Sequence, residues 1–150
     1  MIRIGIDPGV KTGFAVSVDG DIVDVKTLSI MEAQSKVLDY MYRTDKNDLE
    51  LHIEDPRQNK PVFDKGVNGQ RKNLKIAQNV GSNKRDAAIW EEFCKYYDID
   101  YILVRPQTSK WPVKYFQMVT KYEGRTSEHG RDAAKLIVGI RRSTKLITYP

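Results

Sequence analysis

The sequence is short of the residues that form disulfides and all-histidine metal sites. Cys94 is its one cysteine, so no intramolecular disulfide can form, and a reducing compartment such as the cytoplasm is expected. The aromatic neighbours of Cys94 favour a packed structural thiol over a nucleophile. Two histidines, His52 and His129, are too few for a metal site built of imidazoles alone. Chemistry that depends on thiols or on several histidines is therefore disfavoured.

Long apolar runs are also missing. No stretch is long enough to cross a bilayer, and the first residues alternate as in a strand, without the layout of a signal peptide. We therefore expect no membrane partner. A chain of 150 residues without repeats or low-complexity tracts suits a single domain with a hydrophobic core, spanning residues 1–150.

Acidic residues are scarce in two stretches, although the net charge of the whole chain is only +5. Residues 57–85 contain eight basic residues and one acid, Asp64, and so carry a charge of +7. Residues 105–121 contain four basic residues and no acid. Segregated positive charge is typical of a surface that binds a polyanion such as DNA. The candidate DNA-binding residues, including one aromatic residue that could stack on a base, are Arg57, Lys60, Phe63, Lys65, Arg71, Lys72, Lys75, Lys84, Arg85 and Lys110.

The first strand carries a carboxylate at its end. Residues 2–7 alternate between isoleucine and other residues, so one face of this strand is apolar, and Asp7 lies on the opposite face. Pro8 follows and cannot donate to a sheet ladder, so Asp7 ends the strand. A carboxylate there is costly to bury unless something pairs with it. An aspartate that caps its own turn is the simpler interpretation of this motif taken alone.

The rest of the chain predicts an α/β fold. Asp19-Gly20 indicates a two-residue hairpin turn, Ser29 and Glu32 form a capping box, and Ser127 is a candidate N-cap. Residues 57–80 predict a long loop with at most a helical turn near residues 73–78. The result is a five-stranded mixed sheet, its first three strands antiparallel, with helices on both faces. The predicted strands are residues 2–7, 14–18, 22–25, 49–54 and 101–104, and the predicted helices are residues 30–45, 86–97, 115–122 and 128–140.

Three further residues join Asp7 in a candidate metal cluster. Glu54 also ends a strand and points away from its apolar face, so it meets Asp7 if the two strands are neighbours. His129 and Asp132 are spaced i, i+3 and share one face of the last helix. Carboxylates without cysteine favour Mg²⁺ or Mn²⁺, and two such ions about 4 Å apart can catalyse phosphodiester hydrolysis. His129 could be a ligand, a proton carrier or simply a solvent-exposed residue.

Three motifs, in this order along the whole chain, resemble those of the RuvC family of Holliday-junction resolvases, which have the ribonuclease H fold. They are residues 5–9 with residues 12–15, then Ile53-Glu54, then residues 129–134. The resemblance implies a homodimer that cuts four-way DNA junctions symmetrically in recombination and repair. It also implies Mg²⁺, with Mn²⁺ as a substitute, bound by Asp7, Glu54 and Asp132.

Other residues gain roles from the same resemblance. His129 stands where many members of the family carry aspartate, and Lys114 resembles a lysine that the family places near the scissile phosphate. Residues 75–81 resemble the family segment that leads into the helix of the dimer interface. The loop after Glu54 is unusually basic and holds a single aromatic residue, Phe63, which suits a compact, phage-type member acting in the cytoplasm of a bacterial host.

Three alternatives remain open at this point. A related nuclease of the same fold could act on forks, flaps or RNA, and only a panel of substrates separates it from a junction resolvase. A sugar-kinase or actin-like ATP-binding fold opens with a similar phosphate turn, but it needs two such domains and a much longer chain. A non-catalytic DNA-binding module would have no use for buried carboxylates, which lower stability when idle.

Overall fold

A computed structural model describes residues 1–59 and 70–141, apart from the side chains of residues 70–73. Two single-turn 3₁₀ helices, Lys46–Asp48 and Pro56–Gln58, flank the fourth strand. In chain order the strands and α-helices of the described residues are β1 Ile2–Asp7, β2 Thr12–Val18, β3 Asp21–Leu28, α1 Ile30–Arg43, β4 Leu49–Glu54, α2 Gln70–Tyr97, β5 Asp100–Val104, α3 Val113–Thr120 and α4 Glu128–Lys135.

The strands form one mixed sheet in the order β3-β2-β1-β4-β5. β1 pairs antiparallel with β2, and β2 pairs antiparallel with β3, whereas β4 is parallel to both β1 and β5. Asp19 and Gly20 turn the chain between β2 and β3 with φ angles of 50° and 94°, as a two-residue hairpin requires. The predicted α/β class and the five-stranded mixed sheet with its antiparallel first three strands are confirmed.

Helices cover both faces of the sheet, as predicted. On one face, α1 and α2 pack on the isoleucines and leucines of β1 and β4, and Cys94 is fully buried there. Burial raises the pKa of the Cys94 thiol to about 12, so this cysteine is a packing residue at neutral pH. On the other face, α3 contributes Phe116 and α4 contributes Ala133 and Ala134 to a second core. No described helix is both long and apolar enough to span a membrane.

The N-cap signals predicted from the sequence at α1 and α4 are confirmed. Ser29 Oγ accepts a hydrogen bond from the Glu32 amide at 3.2 Å, which starts α1, and α1 ends at Arg43, before the predicted Asp45. Ser127 Oγ accepts from the Gly130 amide at 3.1 Å and starts α4. A local hydrogen bond therefore fixes the residue at which α4 begins.

Several predicted boundaries differ from the structure, most of them by a few residues, and the two largest differences are in α2 and α4. The predicted loop extends too far, because α2 begins at Gln70 and not near Asp86. Residues 74–83 of α2 are largely exposed, with Leu74 and Ile76 at 63% and 47%, so no buried hydrophobic stripe indicated this part of the helix in the sequence. The last helix ends at Lys135, before Ile140, and its apolar stripe continues into a turn that contains Gly139 at a φ of 74°.

A buried arginine holds the end of this turn. Arg3 is completely buried, and its Nη1 donates to the backbone carbonyl of Ile140 at 2.8 Å. Its Nε donates to Glu50 Oε1 at 3.3 Å, and the same oxygen lies 2.8 Å from His52 Nε2. The opposite charges of Arg3 and Glu50 pair, and the imidazole of His52, whose pKa burial lowers, adds a hydrogen-bonding contact to the same carboxylate, so the burial of these groups is tolerable. The network ties the residues after α4 to β1, the strand that also carries Asp7.

Candidate metal centre

Asp7 and Glu54 end neighbouring parallel strands. β1 and β4 pair with Ile6 opposite Ile53, so the residue that follows each isoleucine comes at the same edge of the sheet. The sequence predicted this meeting only on the condition that the two strands are adjacent, and that condition is confirmed. Both carboxylates are partly buried. The sheet therefore supplies two acids side by side.

Glycine in β1 and β2 lets α4 lie directly on the sheet. A side-chain carbon on Gly5 would lie 2.1 Å from the carbonyl oxygen of Ala133, and one on Gly13 would lie 2.0 Å from that of His129. No other residue fits either position without moving the helix. This close contact brings the first turns of α4 to the edge of the sheet where Asp7 lies.

Asp7, His129 and Asp132 come together at this edge. The Nδ1 atom of His129 lies 3.2 Å from Asp7 Oδ2 and donates to it in the tautomer that carries the proton on Nδ1. Each of the three residues offers one ligand atom, and these atoms lie within 4.8 Å of one another. The side chains of Asp7 and Asp132 are 17% and 12% exposed, whereas that of His129 is 52% exposed. The cluster is thus a shallow site open to solvent on the histidine side.

The carboxylates of this site repel one another. Burial, together with the charges of Asp7 and Asp132, raises the pKa of Glu54 from its usual 4.5 to about 7. Burial also raises the pKa of Asp7, and the nearby charge of Asp132 adds to this effect, while the hydrogen bond with His129 opposes it. Negative charge is therefore in excess at this edge, and a bound cation would relieve it.

Lys110 is a contact of the site that the sequence did not reveal. Its Nζ lies 2.5 Å from Asp132 Oδ2 and 3.4 Å from Glu128 Oε1. The sequence placed Lys110 only among the candidate DNA-binding residues. No periodicity could have predicted the contact, because Lys110 belongs to the irregular segment before α3, whose course depends on tertiary packing. Arg131 holds that segment by donating from Nε to the carbonyl of Trp111 at 3.0 Å.

Lys114, the lysine matched to the family's phosphate-proximal position, is exposed on α3. Among the described residues, the lysine that contacts the acids is Lys110, four residues earlier in the chain. Lys135 also contributes positive charge to this region, and this charge lowers the pKa of Glu54. Its Nζ donates to the carbonyl of Ser109 and lies 5.6 Å from the centre of the Trp111 ring.

The candidate DNA-binding residues occupy different environments. Arg57 takes part in structural ion pairs, since its Nε lies 2.7 Å from the buried Asp55 and its Nη1 lies 3.1 Å from Glu91. Arg85 pairs with the buried Asp86 at 3.3 Å but is 64% exposed. On α2, Lys75 is exposed and Lys84 is half-buried. Outside the described residues or side chains are Lys60, Phe63, Lys65, Arg71 and Lys72.

The donor set fits a hard divalent cation. Asp7 and Asp132 offer carboxylate oxygens and His129 offers an imidazole nitrogen, while the described residues place no cysteine near them. Such a set suits Mg²⁺ or Mn²⁺. Glu54 contributes no atom to the 4.8 Å group among the described residues. The negative charges of Asp7 and Asp132 nevertheless contribute to its raised pKa, after burial. Of the four residues predicted as ligands, three converge and the fourth is a close neighbour.

No protein-family model matches the chain, and no curated protein matches it at a significant level. The interpretation of the site depends on the chemistry of its own residues.

Proposed function

We propose that the protein is a metal-dependent endodeoxyribonuclease of the RuvC type, with a ribonuclease H-like fold, that hydrolyses phosphodiester bonds at four-way DNA junctions. It would act as a homodimer and use Mg²⁺, with Mn²⁺ as a substitute. Related substrates, namely forks, flaps and RNA, are the closest alternative, since the same site could hydrolyse them.

One observation carries the proposal. Asp7 from the first strand and His129 and Asp132 from the last helix present ligand atoms within 4.8 Å of one another, beside Glu54 with its pKa raised to about 7. Two carboxylates and an imidazole from opposite ends of a chain do not meet in a partly buried site without a stability cost. Strongly perturbed carboxylates in such a place are typical of functional sites.

Each side chain has a role in this proposal. Asp7, Glu54 and Asp132 would hold the divalent cations, and their mutual repulsion favours cation binding. Divalent cations in such sites supply activation of a water molecule and stabilisation of the leaving oxygen. His129 is half exposed and lies next to Asp7, so it can add a nitrogen ligand or accept a proton from the attacking water. These two roles of His129 are separable by experiment.

We propose DNA as the substrate because of the distribution of positive charge in the chain. We propose four-way junctions because of the resemblance of the sequence to the RuvC family. Residues 57–85 and 105–121 together hold 12 of the 25 basic residues of the chain but only one of its 20 acidic residues, and both stretches lie next to elements of the site in sequence. A symmetric junction requires two active sites related by a two-fold axis, hence a homodimer. The exposed side chains of Leu74 and Ile76 on α2 support a protein contact on that helix.

A panel of DNA substrates tests the proposal. A synthetic four-way junction, a replication fork, a flap and a linear duplex of the same sequence are incubated with the protein, with Mg²⁺ and with EDTA. We expect paired cuts in opposite strands of the junction, with Mg²⁺ only, and little cleavage of the duplex. Faster cleavage of forks or flaps would favour the alternative substrates. Cleavage of none of these substrates would contradict a DNA nuclease, and equal cleavage by an Asp7→Asn variant would contradict a catalytic site at this residue.

A further inference from the structure

We propose that Lys110 is the resident counter-ion of the acidic site and that it competes with a divalent cation for Asp132, so that this lysine sets the metal affinity. The inference rests on the proposed function to the extent that the site binds a metal. It goes beyond that function, because it assigns the control of affinity to one lysine outside the ligand set.

The contacts of Lys110 place its positive charge among the acids. Its Nζ lies 2.5 Å from Asp132 Oδ2 and 3.4 Å from Glu128 Oε1, and its charge also stabilises the ionised forms of Asp7 and Glu54. The side chain of Asp132 is only 12% exposed with this ammonium in contact with it, so little of it is left open to a second cation. A cation that takes Asp132 as a ligand meets a like charge already in contact with that carboxylate.

The side chain of Lys110 can leave this position without a movement of the backbone. Its side chain is 60% exposed, so the ammonium can swing into water and recover its hydration. The next residue, Trp111, is held in place because its carbonyl accepts from Arg131 Nε at 3.0 Å and its ring stacks edge-on against Tyr115. Because the side chain is largely exposed and the neighbouring backbone is anchored, metal binding can displace the lysine while the site keeps its shape.

Metal affinity in the absence of DNA tests the inference. Binding of Mn²⁺ and Mg²⁺ is measured by titration calorimetry for the wild type and for Lys110→Met, which keeps the length of the side chain and removes the charge. We expect Lys110→Met to bind both ions more tightly, by about 2- to 5-fold, the upper part of the range for a partly exposed ion pair. Lys110→Arg keeps the charge and should stay close to the wild type.

Lys114→Met is the matched control. Lys114 is an exposed lysine on α3, and the same substitution there removes the same charge from the same region. It should leave the metal affinity within about 1.5-fold of the wild type, since among the described residues Lys114 forms no ion pair with the acids of the site and an exposed charge is screened by solvent and salt. The ratio of affinities between Lys110→Met and the wild type should also shrink as the ionic strength rises from about 0.05 M to about 0.5 M.

The outcomes separate this inference from the proposed function. Affinities of Lys110→Met that equal those of Lys114→Met, or that fall below the wild type, overturn the competition while leaving the metal site in place. A wild type that binds neither ion, or an Asp7→Asn variant that binds as tightly as the wild type, overturns the metal site and the inference with it.

Discussion

Gly13 and His129 are in direct backbone contact: a side-chain carbon on Gly13 would lie 2.0 Å from the carbonyl oxygen of His129 and 2.8 Å from Cβ of Asp7. The second strand therefore passes beneath the first turn of α4 at a distance that only glycine allows. This contact brings the His129 side chain to the Asp7 carboxylate, two residues that are far apart in the sequence.

Gly13→Ala should disrupt the site by displacing α4. We expect a loss of stability of about 1–3 kcal/mol, as in other overpacked positions. Metal affinity and cleavage should fall by more than the stability change explains, because His129 and Asp132 move with the helix. Gly81→Ala is the control: a side chain there meets nothing within 4 Å in the middle of α2, and alanine should stabilise the helix by about 0.5–1 kcal/mol. Urea unfolding and calorimetric metal titration measure both effects. Unchanged affinity in folded Gly13→Ala would show that the close contact is dispensable.

Removing one carboxylate should stop cleavage without preventing DNA binding. Asp7→Asn, Glu54→Gln and Asp132→Asn each keep the shape of the side chain, but neutral amides are poor ligands for divalent cations. We expect the cleavage rate to fall by at least about 100-fold, on the scale of an essential group in the transition state. The Kd for a four-way junction, measured in EDTA, should change little. Wild-type cleavage by any of the three would remove that residue from the catalytic set.

The stability of the metal-free protein should fall as the pH rises from about 4.5 to about 7. Over this window the folded state keeps a proton on Glu54, with its pKa near 7, whereas the unfolded state loses it near the usual 4.5. Because the folded state binds more protons, the free energy of unfolding decreases with pH, by about 1–3 kcal/mol after allowance for solvent screening. The decrease ends above about pH 7, where both states are ionised.

Glu54→Gln should flatten this dependence in EDTA. Glu92→Gln, on the exposed face of α2, should retain it and serves as the control. Thermal and urea unfolding at several pH values measure the effect. Saturating Mg²⁺ should reduce the slope in the wild type, since metal binding requires the ionised carboxylate. A Glu54→Gln variant with the wild-type slope would mean that Glu54 titrates normally.

Two substitutions of His129 distinguish a ligand from a proton carrier. His129→Asp supplies an oxygen ligand. Aspartate is also the residue that many members of the RuvC family, which the sequence resembles, carry at this position, so measurable cleavage should remain. If the imidazole is a ligand, His129→Ala should weaken Mn²⁺ binding in the absence of DNA. If it carries a proton, the same variant should keep its Mn²⁺ affinity and lose rate. Wild-type affinity and wild-type rate in His129→Ala would leave the residue without a role in the site.

The basic residues at the start of α2 should supply affinity without sequence choice. Each phosphate contact contributes about −0.9 to the slope of log K against log salt on duplex DNA. Replacing Arg71, Lys72 and Lys75 with Ala should weaken junction binding at all sequences alike and make the slope less negative by up to about three units. Ala at Arg43 and Lys95, exposed basic residues outside both acid-poor stretches, should leave the slope unchanged.

Binding isotherms at several salt concentrations measure the salt slope of the triple variant, and cleavage maps on junctions of different sequence measure its sequence choice. An unchanged slope would mean that the segment does not contact DNA. A shifted pattern of cuts with the slope intact would mean that it reads sequence. Arg57 is left out of the triple variant because its partner, the buried Asp55, would then keep an uncompensated charge and the fold would be destabilised.

Local patterns in the sequence were sufficient for the elements whose burial is regular. The alternation of residues 2–7 and 49–54, the Asp19-Gly20 turn and the caps at Ser29 and Ser127 each depend on neighbours a few residues away, and each is confirmed. The acids at the strand ends followed from the same alternation. The sequence predicted only the second half of α2, because residues 74–83 are exposed on nearly all sides and show no hydrophobic period.

Only the tertiary structure decided how the acids meet and what neutralises them. The adjacency of β1 and β4 and the contact of Gly13 with His129 are long-range choices that no local pattern encodes. The ion pair between Lys110 and Asp132 depends on the course of an irregular segment, and the raised pKa of Glu54 depends on burial and on charges from three other elements. The sequence by itself determined which side chains could form the site. Their distances and protonation depend on packing, because desolvation and Coulomb forces act through space and not along the chain.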